Sequence, residues 1–332
     1  MTSLSGENTV IRAVPPRVML APMAGITDRP FRALVAGFGV DLVVSEMVAT
    51  QEMLSEKPSV RAKAEIAAGE TATAVQIAGR DPVAMAEAAR RLSGEGAAVI
   101  DLNFGCPAKK VTGGAAGSAL MREPQRAQAI VEAVVEAATV PVSLKMRLGW
   151  DNDSLNAPEI ARIAEGAGVV RLAVHGRTRA QFYKGAADWA AIARVCGATT
   201  LPVIANGDIA SPEDARQALA HSKAQGVMIG RAAVGRPWLP AQIRAVLRGQ
   251  HPMPAPEGRA LATLIEAHIE AHLAFYGAEV GLRAFRKHLD AYCTHLSGAR
   301  ALRDKLVRLD EPSALIALIR AAIPDFEPAR AA

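Results

Sequence analysis

Two hydrophobic patterns alternate along the chain up to about residue 235. The short apolar runs are typical of strands buried in a parallel sheet. The longer Ala-rich stretches between them repeat their apolar positions with the period of an amphipathic helix. Eight strand–helix units predict an α/β fold, a (β/α)8 TIM barrel, in preference to an open doubly wound sheet. The predicted strands are residues 18–22, 41–45, 73–78, 98–103, 142–147, 171–175, 203–206 and 226–229.

Capping residues mark the start of several predicted helices. Asp28, Asp81 and Ser211 precede helical runs, where their side-chain oxygens can accept hydrogen bonds from first-turn N–H groups. Pro82 and Pro212 follow two of these residues at the first helical position, where the missing N–H of proline costs nothing. These signals agree with the alternation of strands and helices.

The pattern changes after Trp238. Residues 251–256 form a proline-rich segment that resists helix, and no strand pattern follows it. We therefore predict a barrel domain at 1–240, a linker at 241–256 and an all-α helical bundle domain at 257–332. The helices of that bundle are predicted at 258–275, 280–295, 299–309 and 312–322.

The composition fits a large aliphatic core. The 332 residues are 50% hydrophobic and 4% aromatic, and the net charge of +5 permits a polyanionic partner. Cys106, Cys196 and Cys293 form no CxxC pair, so we expect neither disulfides nor a metal site. The N-terminal segment has no apolar leader and no later run is long enough to span a bilayer. We expect a cytoplasmic, monomeric protein that does not associate with membranes.

Polar residues stand at the carboxyl ends of the predicted strands. In a barrel these ends meet at one face, where substrates and cofactors bind. Polar or glycine-rich segments at all eight ends therefore indicate one large polar ligand across the mouth of the barrel. The segments are residues 21–28, 45–46, 76–79, 103–106, 145–147, 175–179, 206–208 and 230–238.

The last two of these segments predict a phosphate site. Gly207 and Gly230 allow close approach of the backbone, and Arg231 adds positive charge. Barrels commonly bind phosphate with the loops that follow strands seven and eight. The alternative is that these glycines only form tight turns.

Cys106 lies on a tight turn between Gly105 and Pro107, just after the fourth predicted strand. A thiol at this place can exchange a proton with a bound ligand, and Asn103 precedes it on the same turn. The alternative is a small apolar residue that fills the turn. For His175, at the end of the sixth strand, the alternative is a buried core histidine.

Lys145 lies in the middle of the fifth predicted strand. Alternation places it on the same face as Arg147, toward the barrel interior. Burying an unpaired ammonium is costly, so this side chain needs an anion or another acceptor there. A structural salt bridge to Asp101 or Glu46 is the alternative to a bound ligand.

A basic segment lies in the predicted helical domain. Residues 280–308 contain seven basic and two acidic side chains, a net charge of +5. Arg283, Arg286 and Lys287 are spaced i, i+3, i+4 and share one helix face. By itself this arrangement is typical of a solvated basic face, and contact with nucleic-acid phosphates is the alternative.

The chain resembles the tRNA-dihydrouridine synthases, and among them the bacterial B subfamily, also called nitrogen-regulation-like proteins. The resemblance covers residues 17–310, and the string at 281–292 is similar to the RNA-binding helix of the family. The matching strings are APMAGITDRPFR (21–32), VSEM (44–47), QIAG (76–79), DLNFGCPAKKV (101–111), GSALM (117–121), LKMRLGW (144–150), VHGRTRA (174–180), PVIANGDI (202–209), MIGRAAVGRPW (228–238) and GLRAFRKHLDAY (281–292).

The resemblance implies reduction of the C5=C6 bond of D-loop uridines in tRNA to 5,6-dihydrouridine. FMN would lie in the barrel mouth and pass a hydride from N5 to C6, with NADPH as the reductant, while the helical domain holds the tRNA elbow. Cys106 would be the general acid that protonates C5, and Asn103 would orient the uracil. The residues implied to bind FMN are Pro22, Met23, Ala24, Gln76, Lys145, His175, Asn206, Gly207, Asp208, Gly230 and Arg231. Further contacts with tRNA are expected from Lys109, Lys110, Arg177, Arg283, Arg286 and Lys287.

One segment departs from the subfamily pattern. After the CPAKKV string the subfamily has Asn and basic residues, whereas residues 112–116 here read TGGAA. The position of the reduced uridine therefore stays open. Three other functions also stay open: a flavin barrel enzyme for a small pyrimidine, of the dihydroorotate-oxidising type; a Schiff-base aldolase that uses Lys145; and a non-catalytic RNA-binding protein.

Overall fold

Parallel strands close into a barrel in the computed structural model, which describes residues 17–54, 64–66 and 73–326. The strands are β1 (Val18–Leu20), β2 (Leu42–Val44), β3 (Val48–Ala49), β4 (Thr73–Ala78), β5 (Val99–Phe104), β6 (Val142–Arg147), β7 (Arg171–His175), β8 (Val203–Asn206) and β9 (Gly226–Ile229). Their order is β2-β1-β9-β8-β7-β6-β5-β4-β3, and the pairing of β2 with β4 completes the ring. The predicted (β/α)8 barrel is thus confirmed. The two-residue β3 beside β4 was not predicted.

Helices surround the barrel and then continue into a separate bundle. Around the barrel are α1 (Arg29–Gly37), α2 (Thr50–Leu54), α3 (Pro82–Gly94), α4 (Lys109–Thr112), α5 (Pro124–Ala137), α6 (Ala157–Gly166), α7 (Trp189–Cys196), α8 (Pro212–Ser222) and α9 (Leu239–Leu247). The bundle contains α10 (Gly258–Tyr276), α11 (Ala278–Thr294), α12 (Arg300–Leu306) and α13 (Pro312–Ala322). Short 3-10 helices occur at Gly117–Arg122, Arg231–Ala233 and Ile323–Asp325.

The predicted capping residues start helices as expected. The side chains of Asp28, Asp81 and Ser211 each accept a hydrogen bond from an N–H of the following turn, at 3.1, 3.2 and 3.0 Å. Pro82 and Pro212 are the first residues of α3 and α8. Each loop therefore turns into its helix at a defined residue, and this fixes the strand ends that face the barrel mouth.

Apolar side chains fill the barrel on both sides of its sheet. Inside the ring, Met19, Leu42, Val99 and Met228 form part of one buried cluster. Outside it, Ala, Val, Leu and Ile side chains of the strands pack against the apolar faces of the helices. The interior is therefore a packed core, in which Asp101, Ser143 and Arg171 are buried polar residues below the cavity.

Helix α9 spans the predicted end of the barrel domain at residue 240. Residue 240 falls inside α9, whose Leu239 and Ile243 are buried in the outer core of the barrel. Residues 248–257 form the irregular link, and α10 to α13 enclose a core of their own with Trp238 at its edge. Residues 1–16 and 327–332 of the predicted domains lie outside the described residues. None of the described helices is both long and apolar enough to cross a membrane.

Candidate active site

A cavity of about 920 Å³ opens at the carboxyl ends of the barrel strands. Its volume is in the range of pockets that hold a drug-sized ligand or a cofactor. All eleven residues predicted to bind the cofactor line it, and Asn103 and Cys106 do as well. The eleven are Pro22, Met23, Ala24, Gln76, Lys145, His175, Asn206, Gly207, Asp208, Gly230 and Arg231.

The turn that carries Cys106 is held through its backbone. Asn103 Oδ1 accepts hydrogen bonds from the backbone N–H groups of Cys106, at 2.8 Å, and Gly105, at 3.1 Å. Ser118 Oγ donates to the carbonyl of Cys106 at 2.9 Å, and Arg147 Nε donates to that of Gly105 at 2.8 Å. None of these bonds uses the thiol, so the turn orients the Cys106 side chain at the cavity without occupying it.

A buried polar network forms the floor of the cavity. Asp101 accepts hydrogen bonds from Gln76 Nε2 at 2.7 Å and from Ser143 Oγ at 2.6 Å. Asn103 Nδ2 in turn donates to Gln76 Oε1 at 2.6 Å. Burial raises the pKa of Asp101, and these hydrogen bonds oppose that rise. The network fixes both side-chain amides, and each keeps one N–H for a ligand.

Lys145 is a partly buried cation at the wall of the cavity. Among the described residues, no hydrogen bond or ion pair joins its ammonium to a partner, although the charge of Asp101 acts on it from nearby. Burial, with the charge of Arg147, lowers the pKa of Lys145 to about 8. An anion or an electron-rich group in the cavity would relieve this strain, as the alternation of residues in β6 led us to expect.

Arg177 is 2% exposed and uses all five of its N–H groups within the protein. Its Nε donates to Lys184 O and one terminal nitrogen donates to Gly185 O. The two terminal nitrogens also donate to both carboxylate oxygens of Asp208 and to His175 Nε2. This geometry holds Arg177 inside the protein beside Asp208, and its contact with tRNA stays a prediction.

The contacts of Arg177 and Asp208 determine the tautomer of His175 and affect the availability of Arg231. Because His175 Nε2 accepts from Arg177, the ring proton is on Nδ1. Burial and the neighbouring cations, Lys145 first, lower the pKa of His175 to about 2, so its ring is neutral. The Arg231 side chain is 64% exposed, and its ion pair with Asp208 is long, at 3.4 Å. Its guanidinium therefore remains available to an anion at this end of the cavity.

The predicted basic residues outside the cavity fall in two places. Lys109 and Lys110 are exposed at the start of α4, just beyond the Cys106 turn. Arg283 is 65% exposed on α11 and lies 3.8 Å from Glu279. All three side chains are thus exposed to solvent.

The other two basic residues of α11 contact protein groups. Arg286 forms an ion pair with Asp310, which lies in the segment between α12 and α13. The Nζ of the exposed Lys287 lies 3.5 Å from the carbonyl of Gly25, in the loop that follows β1. Met23 and Ala24 of this loop line the cavity, so Lys287 brings α11 to the rim of the barrel mouth.

Sequence reasoning missed two residues of the cavity wall. The ring of Tyr183 lies between the guanidinium groups of Arg147 and Arg231, at 5.5 and 5.2 Å from its centroid. His295 reaches the cavity from the end of α11, and burial lowers its pKa. Tyr183 lies in the irregular loop after β7 and His295 belongs to the other domain, so no periodic pattern marked either one.

A family model described as dihydrouridine synthase matches residues 19–326. The chain belongs to the dihydrouridine synthase family. It is 56% identical over 316 residues to a probable tRNA-dihydrouridine synthase of Rhodobacter capsulatus, which covers 95% of this chain and 97% of that one. It is 47% identical over 308 residues to tRNA-dihydrouridine synthase B of Pseudomonas aeruginosa, with 92% of each chain covered. The resemblance to this family and to its bacterial B subfamily is thereby confirmed.

This member of the dihydrouridine synthase family also shares its barrel with distant structures. A histamine dehydrogenase from a Rhizobium species superimposes with a TM-score of 0.53 at 13% sequence identity. The match covers 77% of this chain and 49% of that one. At such identity the likeness concerns the fold alone.

Proposed function

We propose that this chain is a tRNA-dihydrouridine synthase that reduces the C5=C6 bond of D-loop uridines, with FMN as cofactor and NADPH as reductant. One observation carries the proposal: Cys106 and Asn103 line the same cavity as every residue implied to bind FMN. Membership of the family supports tRNA as the substrate and the cytoplasm as the place of action.

The residues of the cavity fit FMN at both of its ends. When bound, FMN supplies the hydride that no side chain can carry. Lys145 offers a cation without a protein partner, and Gln76 offers one unused N–H, for the polar edge of the flavin ring. At the other end, Arg231 and the backbone near Gly207 and Gly230 would hold the phosphate, while the Asp208 carboxylate orients the arginines around it.

Gly207 lets us test the phosphate end. Its φ is +115°, and an added Cβ would lie 2.8 Å from the Cβ of Ala187 and 3.0 Å from the ring of His175. We expect Gly207→Ala to weaken FMN binding about tenfold or more, because the loop must shift away from the phosphate. Gly249→Ala is the matched control, since Gly249 also has a positive φ but has no atom within 4 Å of such a Cβ. Equal FMN affinity of the two variants in fluorescence titrations would contradict this prediction.

Cys106 and Asn103 would act on the uracil. The free N–H of Asn103 would hold a uracil carbonyl, and Cys106 would give its thiol proton to C5 when C6 is reduced. The base must leave its stack to enter the cavity, which costs a few kcal/mol. Contacts between basic side chains and tRNA phosphates would offset that cost.

Arg283 and Lys287 are the exposed basic residues of α11, and Lys287 lies beside the loop that follows β1 at the mouth. We expect Arg283→Ala combined with Lys287→Ala to weaken tRNA binding and to reduce the slope of log K against log salt by about 1 to 2, one per lost phosphate contact. Arg194→Ala, at an exposed position on the outer helix α7, is the control. A slope unchanged from that of the control would place the RNA on another surface. Arg286 is less suitable, because its loss would also break the pair with Asp310.

Mass spectrometry of the product tests the proposed function directly. Unmodified tRNA is incubated with the purified protein, FMN and NADPH, and D-loop fragments are then analysed. We expect a uridine to gain two hydrogens, and the fragment that gains them identifies the position left open by the TGGAA segment. A chain with bound, reducible flavin that leaves every tRNA fragment unchanged would refute the proposal and favour a small pyrimidine as substrate.

A further inference from the structure

Three histidines meet where the helical domain packs on the barrel. His268 and His272 lie one turn apart on α10, and His288 faces them from α11. They are 1%, 0% and 1% exposed, and one ligand atom from each lies within 4.8 Å of the others. The ring centroids are 4.7, 4.8 and 5.2 Å apart. Asp28, the residue that caps α1 of the barrel, lies beside this cluster.

Both ring nitrogens of His272 face acceptors. Nδ1 is 3.0 Å from the carbonyl of His268, which can only accept, so Nδ1 carries a proton. Nε2 is 3.2 Å from Asp28 Oδ2, and the same oxygen accepts a hydrogen bond from the hydroxyl of Tyr276. A lone pair on Nε2 cannot face a carboxylate without repulsion. In this tautomer a metal ion between Nε2 and Asp28 Oδ2 would remove the repulsion, whereas the opposite tautomer would donate from Nε2–H to Asp28.

The other two rings have buried nitrogens without partners. His268 Nδ1 is 3.1 Å from the hydroxyl of Tyr292, whereas its Nε2 has no hydrogen bond. Neither nitrogen of His288 has one. Buried polar atoms are nearly always satisfied in folded proteins, so the lone pairs of His268 Nε2 and of one His288 nitrogen indicate a ligand in this cluster.

We propose that His268, His272 and His288, together with Asp28 Oδ2, bind one divalent transition-metal ion, with zinc as the first choice. Three imidazoles and one carboxylate are a donor set that zinc accepts in tetrahedral geometry. The second contacts also fit, since Nδ1–H of His272 would donate to a backbone carbonyl and that of His268 to a tyrosine hydroxyl.

The ring positions agree with a single tetrahedral ion. With nitrogen about 2.0 to 2.1 Å from zinc, imidazole centroids lie about 5 Å apart, close to the observed spacing. The nitrogens themselves should be about 3.4 Å apart, whereas the ligand atoms lie within 4.8 Å of one another, so the longest separation must shorten by about 1.4 Å. His288 can turn to allow this, because no hydrogen bond holds its ring.

Such an ion would have a structural role. All four ligands come from the protein and the site is buried, so no position is open for a substrate. It would tie the start of α1 to α10 and α11, and thereby hold Lys287 and His295 at the rim of the cavity. Sequence reasoning did not detect this site because it considered only cysteine spacing.

The test measures metal in the purified full-length protein, without flavin or tRNA, so its outcome does not depend on the proposed function. We expect about one zinc ion per chain by elemental analysis. Protein stripped by a chelator should regain it, and zinc should then raise the melting temperature by about 5 °C or more. Cobalt in its place should give the visible absorption of a tetrahedral site.

Variants assign the ligands. His288→Leu and His272→Leu should lose the ion and the cobalt absorption, whereas His251→Ala, an exposed histidine of the link, should keep both. A wild-type protein without stoichiometric zinc, and without a thermal shift or tetrahedral absorption when metal is added, would overturn the proposal. Asp28 would then accept a hydrogen bond from Nε2–H of His272. The measurement on the wild-type protein is decisive by itself. The proposal can therefore be refuted even if a variant fails to fold.

Discussion

Replacement of Cys106 by alanine is expected to lower the single-turnover rate of uridine reduction by about 10²- to 10⁴-fold, the usual contribution of a general acid. Binding of FMN and tRNA should stay nearly unchanged. The reason is structural: Asn103, Ser118 and Arg147 hold this turn through backbone atoms of Cys106 and Gly105. The variant therefore loses the proton donor while the turn keeps its shape.

The control for this variant is Cys196→Ala. Cys196 lies on the outer helix α7, and burial raises the pKa of its thiol to about 11. We expect no change in rate when it is replaced. Rapid-quench measurements with pre-reduced enzyme separate the chemical step from reoxidation. A Cys106→Ala rate within a few-fold of wild type would remove Cys106 as the acid and direct attention to water or to another side chain of the cavity.

Replacement of Lys145 by methionine is expected to have opposite effects on stability and on function. The lowered pKa of Lys145, about 8, means that its charged form is held at a cost in the cofactor-free protein. Removing the charge should raise the free energy of unfolding of the cofactor-free protein at pH 7 by on the order of 2 kcal/mol. The same change should weaken FMN binding and slow reduction, because the cation next to the flavin edge is lost.

The pH dependence of stability distinguishes this explanation from a change in packing. Below about pH 8 the folded and unfolded chains both carry the proton on Lys145, and the cost is present in full. Between about 8 and the ordinary value of 10.5 the unfolded chain binds more protons, so stability rises with pH in this window. Denaturant titrations of wild type and Lys145→Met should therefore converge as the pH rises. A difference that stays constant from pH 7 to 10 would show that the charge is not the cause.

Much of the barrel was predictable from local patterns. Strands β4, β6, β7, β8 and β9 have the predicted bounds, because a buried strand needs a continuous apolar run and its loop needs a turn residue. The carboxyl ends of parallel strands must meet at one face, so Cys106, Lys145 and Asn206 could be placed in one cavity before any coordinates were known. These features depend on the order of residues along one element.

Contacts between elements were decided only by the tertiary structure. The fold pairs Arg177 with Asp208, and it brings His295 from the helical domain into the barrel mouth. His288 meets His268 on α10 in the same way. The period of hydrophobic residues predicts which face of a helix or strand a side chain occupies. Which residue of another element it contacts depends on how two helices or domains pack. That packing follows from many small apolar contacts summed over the whole core, and no local pattern encodes it.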